Sequence, residues 1–173
     1  MVGRLVAAAA DEIRVAGYAD LTVRNVASRA GVAAATAYTY FASKDHLIAE
    51  VFWRRLRELP APRVDRRRGP AARVGSALGD LTEFLASEPE LAAAATSALL
   101  AADPDVKHVR DRVGAEIRRR IQAALGDGDD AVVQALDLAI GGAMIQAGMG
   151  HLPYRELPGR IADVATLLVR NGR

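Results

Sequence analysis

The stretch from Leu21 to Lys44, LTVRNVASRAGVAAATAYTYFASK, constrains the fold more than any other part of this chain. Thr22 precedes the apolar-periodic run Val23, Val26, Ala27 and Ala30, so its hydroxyl is placed to cap a short helix by accepting from a backbone N–H. Gly31 follows the last periodic residue. A glycine there can take the left-handed conformation that closes a helix without a Cβ penalty, and Val32 then fills the corner. From Ala33 to Tyr38 every residue but Thr36 and Tyr38 is small, which predicts a second, slim helix. Two short helices joined by a glycine turn form a helix-turn-helix, whose second helix enters the DNA major groove. Helix-glycine-helix corners also occur in plain bundles, so the pattern needs support from its flanks.

The flank supplies it. Tyr38, Tyr40, Phe41, Ser43 and Lys44 form a YxYFxSK run directly after the second helix. With Gly17, Thr22, Ala27, Ala30, Gly31, Val32 and Thr36 they closely resemble the DNA-binding domain of the TetR family of transcriptional repressors, over about Leu5 to Leu56. Ala33 stands where the family usually has serine or a similar cap. Ala35 and Ala37 stand where it often has glycine and leucine.

The rest of the chain is consistent with an all-α fold of about nine helices. Alanine is abundant at helical spacing, and no alternating β-branched run appears. Leu5, Val6, Ala9, Ala10, Ile13 and Ala16 predict a first, core-facing helix ending at Gly17. A fourth helix is expected from Ser43, its N-cap, through Leu47, Ile48, Val51, Phe52 and Leu56 to Pro60. Lys44 then falls in a first turn, where a cation opposes the helix dipole, has no local partner and so points to a bound phosphate. Pro60 to Pro70 reads as a linker, with Arg66, Arg67 and Arg68 as a solvated basic run.

Five further helices follow. Asp103-Pro104 opens one whose stripe is Val106, Val109, Val113, Ile117, Ile121 and Ala124, with the arginines expected on the opposite, solvated side. GDGDD at 126–130 reads as a turn. The helix from Ala131 to about Met149 is apolar nearly all round, so a partner subunit is expected to cover it. Ala139, Gly142, Ala143 and Ala147 from this helix, with Ile161, Val164 and Leu168 from the last, are the predicted seam of a four-helix homodimer. The expected division is a DNA-binding domain over residues 1–45 and a helical ligand-binding and dimerisation domain over 46–173.

Catalysis finds no support in the sequence. His46, His108 and His151 lack metal-ligand spacing, no GxSxG occurs, and Gly141-Gly142 follows no strand, so neither a metal nor a cofactor is expected. Cysteine is absent, no secretion signal is read at the N-terminus, and the longest apolar run, Leu138 to Ile145, is short of a membrane span. A cytoplasmic location without membrane contact is the expectation. The net charge of +2 does not by itself announce a nucleic-acid binder.

Carried over by position, the resemblance implies that Thr22, Arg24, Tyr38, Tyr40 and Lys44 meet DNA backbone, Arg24 also reaching toward a base edge. It implies that Ala34, Ala35 and Thr36 face the bases. It further implies a dimer reading a palindromic operator and a small effector that releases it. Trp53, Phe84, His108, Met144 and Met149 are candidate pocket residues, each also suited to ordinary core, and small apolar surroundings suggest a hydrophobic effector. The rival reading is a helical dimer that binds a small molecule or a protein without touching DNA.

Overall fold

A computed structural model describes residues 1–126 and 130–171. Among the described residues the chain forms nine α-helices and no strand: α1 (Val2–Asp20), α2 (Val23–Arg29), α3 (Ala34–Tyr38), α4 (Lys44–Glu58), α5 (Pro70–Ser87), α6 (Pro89–Leu99), α7 (Pro104–Leu125), α8 (Asp130–Gly148) and α9 (Leu157–Asn171). A single 3-10 turn at Tyr154–Glu156 leads into the last. Most of the expected 126–130 turn lies outside the described residues. Its first residue, Gly126, has φ 71°.

The local signals act where their chemistry predicts. Thr22 accepts from the Asn25 N–H at 3.0 Å and caps α2. Gly31 has φ 63°, and the Val32 N–H donates to the Ala27 carbonyl at 2.9 Å, closing α2 behind it. Asp103 accepts from the backbone of Asp105 at 2.8 Å and opens α7 ahead of Pro104. The first helix departs from expectation. Gly17, at φ 73° and ψ 173°, breaks it, but helical hydrogen bonding resumes and carries the element on to Asp20.

The chain divides into two compact units that do not follow the expected 1–45 and 46–173 split. The first is residues 1–58 with 88–112, and the second is 59–87 with 113–173. In the first unit α1 packs on α2, α4 and α6, and α4 packs on α6. The apolar face of α4, with Leu47, Ile48, Phe52 and Leu56 all at most 1% exposed, is covered on that account, and this holds it with the reading helices rather than apart from them. Leu5, Ala9, Ile13 and Val26 complete this core.

In the second unit α9 packs on α5 and α8. Residues 60–69 carry no helix, and Arg66, Arg67 and Arg68 are exposed, as a linker requires. The second half of α7 contributes Val113, Ile121 and Ala124 to the core, while Ile117 is half-buried. One arginine breaks the expected two-sided pattern. Arg120 lies on the inner stripe and is 1% exposed, against the reading of the α7 arginines as a solvated face.

The contrast between two glycines tests this backbone account. Gly31→Ala is expected to lower unfolding stability by about 1–2 kcal/mol, because Cβ is strained at positive φ. Gly79→Ala is expected to raise it by up to about 1 kcal/mol, since no heavy atom lies within 4 Å of a Cβ there and the position is mid-helix. Urea denaturation midpoints of the two variants check both signs.

Candidate nucleic-acid interface

A five-residue helix has almost no stability of its own, so the orientation of α3 must come from its ends and its one buried face. Ala33 supplies no side-chain cap. The turn at Gly31 sets the entry, and Ala37, fully buried, is the inward contact. At the exit the Tyr40 and Phe41 N–H groups both donate to the Ala37 carbonyl at 3.0 Å, and Phe41 drops into the core at 2% exposure. Burial of such a side chain is worth about 1.5–3 kcal/mol. It packs edge-on against His46, ring centroids 5.6 Å apart.

With Val23, Val26, Ala27 and Ala37 turned inward, the opposite side of the pair is left to solvent. Thr22, Arg24 and Ala35 are exposed, and Ala34 and Thr36 are half-buried. Tyr38 is 50% and Tyr40 45% exposed, well above what a core role for either ring would allow. Thr39 belongs to the same surface and was not singled out from the sequence; it is exposed, and its hydroxyl donates to the Thr36 carbonyl at 2.6 Å. Its position between the two tyrosines was the available signal. Among the candidate contacts Arg24 is the exposed cation on this face.

Lys44 corrects the sequence reading. Its ammonium donates to the carbonyls of Tyr18 and Ala19 at 3.3 and 3.4 Å, and it sits 4.4 Å from the centre of the Tyr18 ring. These are the unpaired carbonyls at the end of α1, where a cation is favoured. Lys44 therefore has local partners and needs no bound anion to account for it. The Tyr18 hydroxyl donates to Asp45, whose carboxylate lies in the first turn of α4. Burial and that carboxylate raise the Tyr18 phenol well above the usual tyrosine range. Half-buried as it is, Lys44 pins the end of α1 to the start of α4.

Two more ties hold the scaffold. Glu12, 8% exposed on α1, accepts from Arg29 of α2 at 2.6 Å. Ser43 accepts from the His46 N–H at 3.1 Å as the cap of α4 and donates its own proton to Asp103 at 2.7 Å. The Ser43 bond is the main cause holding the Asp103 carboxyl below the usual aspartate range.

The five candidate pocket residues are divided between the two units. Trp53, in the first unit, is flanked by the guanidinium groups of Arg57 and Arg112 at 5.9 and 5.4 Å from its centre. His108, on the same unit, is exposed. In the second unit Phe84 is buried and Met149 is 56% exposed. Met144 borders a space of only about 10 Å³ between α5, α8 and α9. Of the predicted seam, Ala147 and Ile161 turn into their own unit, at 6% and 3% exposure, where α9 packs on both α5 and α8. Ala139, Ala143, Val164 and Leu168 are half-buried, and Gly142 is exposed.

Residues 5–51 match the family model described as bacterial regulatory proteins, tetR family. An uncharacterized HTH-type transcriptional regulator of Mycobacterium tuberculosis is 50% identical over 169 residues, covering 96% of this chain and 79% of that protein. The HTH-type transcriptional repressor KstR of Rhodococcus jostii is 33% identical over 117 residues, 64% of this chain and 53% of its own. In fold, the crystal structure of a TetR transcriptional regulator from Rhodococcus sp. RHA1 superposes with a TM-score of 0.79 at 24% identity, over 99% of this chain and 98% of the other.

A depressed aspartate contributes stability that is present above its unfolded-state pKa and lost as pH falls through the folded one. Asp103→Asn is therefore expected to lower stability at pH 7 and to flatten its decline between about pH 4 and 2. Urea midpoints across that range, wild type against variant, measure it.

Proposed function

The chain is a member of the TetR family of helix-turn-helix transcriptional regulators, and we propose that it acts as a repressor that binds a palindromic operator as a homodimer. The observation that carries this is the exposed face of α2 and α3. There a slim helix tip of Ala34, Ala35 and Thr36 stands between Arg24 and the half-exposed rings of Tyr38 and Tyr40. Methyl groups suit thymine methyls, and the Thr36 hydroxyl can donate or accept at a base edge. Arg24, Thr22 and the tyrosine hydroxyls suit phosphate oxygens on either side of the groove, where such contacts fix register. Lys44 serves chiefly by holding α1 to α4, with its remaining charge directed at the backbone.

The dimer reading rests on α8. This helix is long and apolar enough to cross a membrane by length and composition, at a mean hydropathy of 1.3, yet only 22% of it is buried in its own chain. Leu138 is 78%, Met149 56% and Ile145 39% exposed, and Leu167 of α9 is 61% exposed. The Asp137 carboxylate, bonded to Arg118 of α7 at 2.8 Å, ties the helix to a polar neighbour. A second copy of α8 and α9 is the cover this face asks for, the seam running through Leu138, Gly142, Ile145 and Leu167 rather than through Ala147 and Ile161. In this reading α2 and α3 read DNA, the rest of the first unit braces them, and the second unit supports the dimer and a small, largely apolar effector. The site of action is the cytoplasm, and no catalytic step is involved.

Binding of the full chain to a palindromic fragment is expected to weaken steeply as salt rises. Arg24→Ala should reduce the slope of log affinity against log salt by about 1; an unchanged slope would remove Arg24 from the phosphate contacts, and salt-independent binding would count against the interface itself. In sedimentation runs Leu138→Glu is expected to give monomers, and a persistent dimer would move the seam elsewhere.

A further inference from the structure

Arg120 occupies a position that helical periodicity reserves for an apolar side chain. It lies seven residues after Val113 and four before Ala124, on the inner stripe of α7, and is 1% exposed. A guanidinium carries five N–H donors. Here Nε donates to Glu116 at 2.9 Å, and one terminal nitrogen reaches the Leu59 carbonyl at a long 3.4 Å. The other terminal nitrogen is buried with no partner.

Glu116 does not neutralise it fully. Arg119 takes both carboxylate oxygens, each at 2.7 Å, so Arg120 shares an oxygen already engaged. The hydrogen bonds from Arg119, and then Arg120, hold the Glu116 carboxyl below its usual range, so it is ionised at neutral pH. Two cations and one anion leave an excess positive charge, part of it sealed from solvent. An arginine left so incompletely paired in an apolar stripe is costly, and an apolar residue of its length would pack there at least as well. Tying down Leu59 accounts for one donor and leaves the buried nitrogen unexplained.

We infer that Arg120 anchors the carboxylate of an acidic, otherwise apolar effector, bound in the second unit from the side of the irregular segment that begins at Leu59. A carboxylate matches the parallel donors of a guanidinium and forms charge-assisted bonds in place of the 3.4 Å carbonyl contact. The neighbouring stripe of Val113, Ile121 and Ala124 is closed, at 6%, 0% and 1% exposure, so the apolar remainder of the ligand must displace the side chains that cover it. Occupation of Arg120 would free the Leu59 carbonyl, and Leu59 is the residue that follows α4. The inference rests on the effector reading above and gives that effector a charge.

The test uses the full chain with decanoate and the uncharged decanamide as probes. Decanoate is expected to raise the thermal midpoint by about 5 °C or more near saturation, and decanamide by much less. Arg120→Met, shown to be folded by circular dichroism, should lose at least tenfold in decanoate affinity while binding operator DNA as before. Arg120→Lys keeps the cation and should retain part of the response, which serves if the methionine variant does not fold. Equal stabilisation by decanamide, an undiminished decanoate response in Arg120→Met, or no stabilisation by straight-chain carboxylates from hexanoate to tetradecanoate would overturn the anchor. DNA release by a small molecule that is indifferent to Arg120 would sink the anchor and leave the effector reading standing. Decanoate binding through Arg120 without any change in DNA affinity would do the reverse.

Discussion

A helix of one and a half turns cannot hold its own direction in water, and α3 is such a helix. Its usefulness depends on being clamped from both ends. Gly31 turns the chain into it at φ 63°, a conformation that favours glycine, and Phe41 draws the chain out of it into the core. Between these points a fully buried Ala37 is the inward contact. The alanines facing the other way leave the tip narrow, which suits depth in a groove and gives the helix few polar atoms with which to tell one base from another. Much of the discrimination must then fall to Arg24, to methyl contacts and to DNA shape.

The clamp is rigid only if the surrounding helices are. Tyr18, Lys44 and Asp45 join the end of α1 to the start of α4, and Glu12 with Arg29 joins α1 to α2. These are partly buried, charge-assisted contacts, stronger than exposed surface pairs. In the second unit the open apolar face of α8 has a different meaning. Its residues fold well against α9 on one side, while Leu138 and Met149 lie in solvent on the other. Among the described residues no other helix of this unit covers them.

The sequence disclosed the helices and the helix-turn-helix because their signals are local. A threonine cap, a glycine stop, an Asp-Pro start and stripes at three and four residues act within a turn or two of themselves. What it hid is tertiary. Lys44 was misread because its partners, the carbonyls of Tyr18 and Ala19, lie some 25 residues back along the chain. Arg120 was placed on the solvated face because the run Arg118-Arg119-Arg120 looks uniform, although helical geometry turns its third member inward. Ala147 and Ile161 carry the same small or apolar chemistry as their exposed neighbours, and only the tertiary packing of their unit distinguishes the inner side from the outer. The candidate pocket residues fall in two different units for a related reason, since bulky residues chosen by type carry no information about where each of them packs.

Selection of bound sequences from a pool of random duplex DNA, using the full chain, examines the whole account at once. A paired body that presents two slim reading helices should enrich a palindrome whose half-site centres lie about one helical turn, 34–36 Å, apart. Enrichment of a lone, unrepeated half-site, or no enrichment above the starting pool, would contradict it.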